Sequence, residues 1–172
     1  MKTIFAPLVV ALLAAACAST PASGPTATAK LAATSGNTVT GTVTFTQTGD
    51  VVRVSGEVSG LAPNTVHGFH IHEKGDCSSG DGMSTGGHFN PLGQTHGAID
   101  HGDHHAGDLA SLTSDANGVA KFSYTANLLS VGSGATDVIG HGLIVHKDAD
   151  DFKTQPTGNS GARVACAVIV KG

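Results

Sequence analysis

The segment TVTGTVTFTQ, residues 38–47, alternates polar and apolar side chains, with Val39, Val43 and Phe45 on one parity. A period of two describes a strand with one face toward a core and the other toward solvent. GD at 49–50 reads as a hairpin turn, and VVRVSGEVSG returns at the same period. APN at 62–64 turns the chain again before TVHGFHIH, residues 65–72. DLASLTSDANGVAKFSY (108–124) reads as strand, turn and strand, and GHGLIVHK (140–147) and ARVACAVIV (162–170) follow as strands. This pattern predicts about eight short strands in an all-β domain. Two stretches break it, 73–107 and 149–162. The first is rich in glycine and histidine and shows neither a helical nor a strand period. A long stretch without secondary structure inside a compact domain implies a function that orders it.

The ends and the cysteines place the domain. MKTIFAPLVVALLAAACAS joins a basic start at Lys2 to an apolar run over 4–16 and then small residues, the pattern of an export signal over 1–18. No later run is apolar and long enough to span a membrane. Residues 19–30, small, polar and proline-containing, read as a flexible tether, and 31–172 as the domain. Export leads to an oxidising compartment, so pairing of Cys77 with Cys166 is expected, with two separately buried thiols as the alternative. A disulfide closing so long a loop stabilises by about 4–5 kcal/mol in the chain-entropy description. Cys17 is left over. It invites lipid modification, with a membrane anchor, or cleavage after Ala16 or Ala18, which would release a soluble periplasmic protein. The net charge of −4 gives no basis for a nucleic-acid partner.

The histidines carry the chemistry. His70 and His72 lie two apart in a strand, so they share a face, and His67 points the other way. Two imidazoles side by side on rigid backbone suit copper or zinc. His88, His96, His101, His104, His105 and Asp108 follow in the long loop, and His146 ends an apolar strand. A metal site built from nitrogen ligands and a carboxylate explains this clustering and gives the loop a reason to be ordered.

The segments GFHIHEKGDC, GGHFNPLGQTHG, HAGDL, GLIVHKDADD and TGNSGARVACAVI, in this order over most of 38–171, resemble the copper/zinc superoxide dismutases. The short EKGDC segment and the export signal are similar to the bacterial envelope branch. The resemblance implies a Greek-key β-sandwich, a flattened eight-stranded barrel with two long functional loops. It implies one copper per chain on His70, His72, His88 and His146, and one zinc on His88, His96, His105 and Asp108. Seven residues fill eight ligand positions, so His88 serves both metals. Asp150 matches the aspartate that orients one copper-bound and one zinc-bound imidazole. Arg163 matches the arginine that guides the substrate anion. The implied reaction converts superoxide into oxygen and hydrogen peroxide, with Arg163 and His88 catalytic.

Four histidines stay outside the implied ligand set. His67 and His141 are expected to be structural, and His101 and His104 exposed, with competition for zinc as the alternative, since His104 neighbours His105. FKTQPTG replaces the charged segment that eukaryotic relatives carry in the second loop, so Lys74 and Lys153 become the local candidates for attracting an anion. Monomer and homodimer both stay open. The competing function is a non-catalytic envelope protein that binds or delivers copper on the same scaffold. Arg163, Asp150 and the full ligand set weigh against it.

Overall fold

The structure is a computed structural model and describes residues 23–172. The expected export signal, Cys17 and the rest of 1–22 lie outside the described residues. The strands, in chain order, are β1 (Ser23–Ala33), β2 (Thr40–Thr48), β3 (Val51–Ser59), β4 (Val66–His67), β5 (Phe69–His72), β6 (Leu112–Thr113), β7 (Ala120–Ala126), β8 (Gly142–His146), β9 (Arg163–Val168) and β10 (Val170–Lys171). One 3-10 turn, Met83–Thr85, is the only helical element among them. The main sheet runs β5-β8-β9-β1-β2-β3-β7, antiparallel throughout, with β10 also on β1, while β4 and β6 form a separate pair. The all-β expectation holds.

The alternation read from the sequence is the alternation that packs. Val43 and Phe45 of β2 and Val52, Val54 and Val58 of β3 are fully buried. Each fully buried side chain of this size contributes about 1.5–3 kcal/mol of apolar burial. β8 differs, because all of Gly142–His146 is buried. It runs between β5 and β9, so neither of its edges is free.

The expected tether is corrected. Residues 23–30 are not linker but most of β1, which pairs with β2 from Ser23↔Thr48 to Leu31↔Gly41. Its alternation is carried by small residues: Ala27 and Ala29 are fully buried, with Leu31 beside them. Alanines that close-pack under a sheet hide a strand inside a composition typical of linkers. Of the expected strand early in 108–124, only the short β6 forms.

The first long loop is laid along the edge of β5. Phe89 N donates to Ile71 O at 2.9 Å, Ile71 N to Gly107 O at 2.8 Å, and Gly107 N to Phe89 O at 2.8 Å. His72 thereby faces His88 across a bridge, and His70 faces Asp108. Gly107 is required at this crossing, because a Cβ there would run into the Ile71 carbonyl. The loop is also tied covalently: Cys77 joins Cys166 on β9, with Cα atoms 6.0 Å apart across 89 residues of sequence. The expected disulfide is therefore formed.

Candidate metal centre

Strand geometry sets the first cluster. Phe69 and Ile71 of β5 point into the core, so His70 and His72 take the opposite face. His146, at the end of β8, and His88, on the loop bridged to His72, complete the group. His70, His72, His88 and His146 bring ring nitrogens within 4.8 Å of one another, and all four are buried. His70 Nδ1, His72 Nε2, His88 Nε2 and His146 Nε2 have no hydrogen-bond partner. Buried polar atoms are nearly always paired, so four orphaned nitrogens converging on one point call for a cation.

The other nitrogen of each ring is accounted for. His72 Nδ1 donates to Gly86 O at 2.9 Å, His146 Nδ1 to Gly161 O at 3.2 Å, and His70 Nε2 to Asp150 Oδ2 at 2.7 Å. A carbonyl or carboxylate can only accept, so each contact places the proton on that side and leaves the lone pair facing the cluster. Burial, followed by the neighbouring His88, holds His72 down at about 2. Burial, followed by His70, holds His146 at about 3. Both rings are therefore neutral near pH 7 and able to donate to a metal.

The second cluster is His88, His96, His105 and Asp108. Asp108 Oδ2 is anchored by backbone N–H groups, from His105 at 2.9 Å and Gly97 at 3.1 Å. Its Oδ1 then lies 2.8 Å from His88 Nδ1, 3.0 Å from His96 Nδ1 and 3.4 Å from His105 Nδ1. His105 Nδ1 and His88 Nδ1 are 3.4 Å apart. Four donors around one ion with bonds of about 2.0–2.1 Å would sit roughly 3.3 Å apart, so this spacing suits a small tetrahedral cation such as zinc. His88 offers Nε2 to the first cluster and Nδ1 to the second. Burial pushes His88 down to about 4, against the opposing pull of its hydrogen bond with Asp108.

Asp150 joins the two clusters from behind. Oδ2 accepts from His70 Nε2, and Oδ1 accepts from His96 Nε2 at 2.9 Å and from the Phe152 amide at 2.7 Å. Burial alone would raise the Asp108 and Asp150 carboxyls, but the hydrogen bonds from surrounding imidazoles win and hold both well below the usual carboxylate range. His96 feels the reciprocal pull. Burial opposes its charged form, yet hydrogen bonds to Asp108 and Asp150 outweigh it and raise the ring to about 9.

Arg163 opens β9 and is half-buried. Its Nη1 donates to Gly82 O and to Thr85 Oγ1, the latter at 2.8 Å, and Nη2 donates to Gly86 O at 2.7 Å. Burial lowers its pKa, but a guanidinium remains charged throughout the physiological range.

All seven expected ligands and Asp150 are brought together, and Arg163 is linked to them through Gly86. His67 is structural as expected: Nδ1 donates to His146 O at 2.9 Å, and Nε2 meets Thr65 Oγ1 at 2.7 Å. His141 donates from Nδ1 to Glu73 O at 2.8 Å, with its ring 3.9 Å from that of Phe89. His101 is exposed, but His104 is not: it is only 6% exposed, and its Nδ1 donates to the carbonyl of His105 at 2.7 Å. Lys74 and Lys153 are exposed.

The sequence reading missed Gln155. Its Oε1 accepts from His96 N and its Nε2 donates to His96 O, each at 2.9 Å, so one side-chain amide grips the ligand's backbone from both sides. A contact between residues 59 apart leaves no local trace in the sequence.

Fold and site together define an antiparallel β protein with two adjacent donor clusters, each able to hold a metal ion, that share one imidazole. The model of the copper/zinc superoxide dismutase family matches residues 39–169. The chain belongs to the copper/zinc superoxide dismutase family and is an enzyme of that type, with copper and zinc as its metals. Among its relatives, a protein of Paramecium bursaria Chlorella virus 1 named superoxide dismutase [Cu-Zn] is 42% identical over 137 residues, covering 76% of this chain and 72% of that one. Among solved structures, one titled as an analysis of the clock protein EA4 aligns with a TM-score of 0.78 and 39% identity. That alignment covers 88% of this chain and 96% of the other.

Proposed function

We propose that the chain dismutes superoxide with copper held by His70, His72, His88 and His146 and zinc held by His88, His96, His105 and Asp108. The observation that carries this reading is the set of four orphaned, converging nitrogens, one of which belongs to a ring whose other nitrogen enters the second cluster. Copper, when bound, supplies the one-electron couple that oxidises one superoxide and reduces the next. Zinc has no accessible second oxidation state, so its part is to hold and tune His88.

The remaining work falls to the protein. Arg163, charged and braced by the Gly82, Thr85 and Gly86 oxygens, draws the superoxide anion toward the first cluster. His88 Nε2 is the atom suited to hold a proton when it is not ligating and to pass it to the reduced substrate. Its Nδ1 stays fixed beside Asp108. Asp150 keeps His70 Nδ1 and His96 Nδ1 turned toward their separate clusters. Lys74 and Lys153 add positive charge at the surface in place of the missing charged segment of the second loop.

The export signal supports work in a bacterial envelope, with Cys17 as the lipid-anchor position. The decisive test is a dismutase assay on purified protein loaded with equal copper and zinc, beside samples loaded with one metal alone. Activity that follows copper and matches one copper and one zinc per chain supports the reading. A fully loaded protein without activity rejects it in favour of metal binding or delivery. Mass analysis of the mature N-terminus tests the envelope proposal, since an unmodified chain beginning at Ser19 rules out the anchor.

A further inference from the structure

We propose that the tip of the first long loop, Asp100–His104, binds a third metal ion, a borderline divalent cation such as zinc, separate from the two buried clusters. Two histidines and two aspartates fall within five residues here, at Asp100, His101, Asp103 and His104. The backbone bond from His101 N to Ala98 O, at 3.1 Å, folds them into a turn. All four line one cavity of about 310 Å³, with Gln94 and Asn127 on its wall.

The second observation concerns His104. It is 6% exposed, and its Nδ1 donates to the His105 carbonyl at 2.7 Å. That bond fixes the tautomer and leaves the lone pair on Nε2, which makes no hydrogen bond among the described residues, on a residue that lines the cavity. His72 stands in the same posture, with Nδ1 on the Gly86 carbonyl and Nε2 offered to a metal. An imidazole held on one nitrogen by a carbonyl is the usual posture of a metal ligand.

Charge favours the same occupant. The chain has no lysine or arginine between Lys74 and Lys121, so the two aspartates at the tip lack a local counter-ion. Asp100 Oδ2 lies 3.8 Å from His101 Nε2, and both of those side chains are largely exposed and free to turn. One rigid, half-satisfied imidazole with mobile imidazole and carboxylate donors beside it is a nitrogen-and-oxygen donor set suited to zinc, copper(II) or nickel.

The test uses protein that already holds copper and zinc in both buried clusters, so failure here leaves the dismutase reading untouched. Zinc chloride is titrated in by calorimetry, and bound metal is counted after dialysis. One further zinc per chain is expected at a dissociation constant on the order of micromolar to tens of micromolar. His101→Ala and Asp103→Asn should each weaken it by about tenfold or more, with dismutase activity and the buried metals unchanged. No third equivalent up to about millimolar free zinc overturns the proposal. So does a third equivalent that both variants bind as tightly as the unaltered chain.

Discussion

His72 and Arg163 donate to the same atom, the carbonyl oxygen of Gly86, at 2.9 Å and 2.7 Å. One backbone group thus sets both a ring of the first cluster and the cation that would greet an arriving anion. The side chain proposed to attract substrate is thereby held in register with the first cluster, and the Cys77–Cys166 bond fastens the same loop to β9.

Arg163→Glu should abolish most of the activity and reverse its dependence on salt. Activity of the unaltered protein should fall as ionic strength rises, while that of the variant should not. The variant also loses the bonds to Gly82, Thr85 and Gly86, so a stability loss of about 1–3 kcal/mol accompanies the kinetic loss. Arg163→Lys keeps the charge, and should recover part of the activity but little of the bracing. Assays across a salt series, with thermal melts, separate the two roles.

His88→Ala should empty both sites together, whereas His70→Ala should cost copper and leave zinc in place. Metal analysis after dialysis against a mild chelator reads both. Zinc retained at full occupancy in His88→Ala would mean that the ring does not belong to the second cluster.

Zinc uptake should release close to one proton per chain near neutral pH. Before zinc enters, His96 binds a proton with a pKa of about 9, and that proton must leave for Nδ1 to ligate. The apparent zinc affinity should therefore weaken by about tenfold for each unit of pH below that value, through this ring alone. In the first cluster, His72, His146 and His88 sit at about 2, 3 and 4, so these three rings hold no proton that copper must displace near neutral pH. Acidification should release zinc before copper. Calorimetry in two buffers of different ionisation enthalpy counts the proton, and dialysis over a pH series gives the order of loss.

Gly158→Ala should damage both metal sites without touching a ligand. Gly158 has φ +66° and lies against Asp150 Oδ1 and His96 Nε2, so an added Cβ would have to displace the carboxylate. Loss of zinc and copper from a variant that still folds would establish Asp150 as the common support. Full metal content would show that the loop gives way instead.

Reducing the disulfide, or the substitution Cys77→Ser, should cost about 2–5 kcal/mol of stability. Activity should fall more steeply than metal content, because the carbonyls that brace Arg163 lie on the freed loop while the ligands His70, His72 and His146 sit on strands. Urea melts and assays on the same samples check this.

A clustering of metal donors was legible because histidine and aspartate are donor residue types crowded into two short stretches, whereas the division of those donors between copper and zinc came only from the family resemblance. Their spacing in β5 follows from the strand period itself, which places His70 and His72 on one face whatever surrounds them. β1 was not legible. Its apolar face is made of Ala27 and Ala29, and small residues carry no hydrophobic signal until a sheet packs on them. Gln155 and the burial of His104 escaped for another reason. The Gln155 contact needs the His96 carbonyl that only the closed loops bring near, and the burial of His104 follows from how the loop packs, which no residue type announces in advance.

The early start of β1 bears on any attachment at Cys17. Only residues 18–22 separate that cysteine from Ser23, which already pairs with Thr48 beside the hairpin turn at Gly49 and Asp50. Five residues span at most about 17 Å when fully drawn out. A lipidated chain would be moored on a short leash, hairpin end toward the bilayer, with little freedom to tumble. The enzyme would then patrol the layer of solution against the membrane rather than the volume of the compartment.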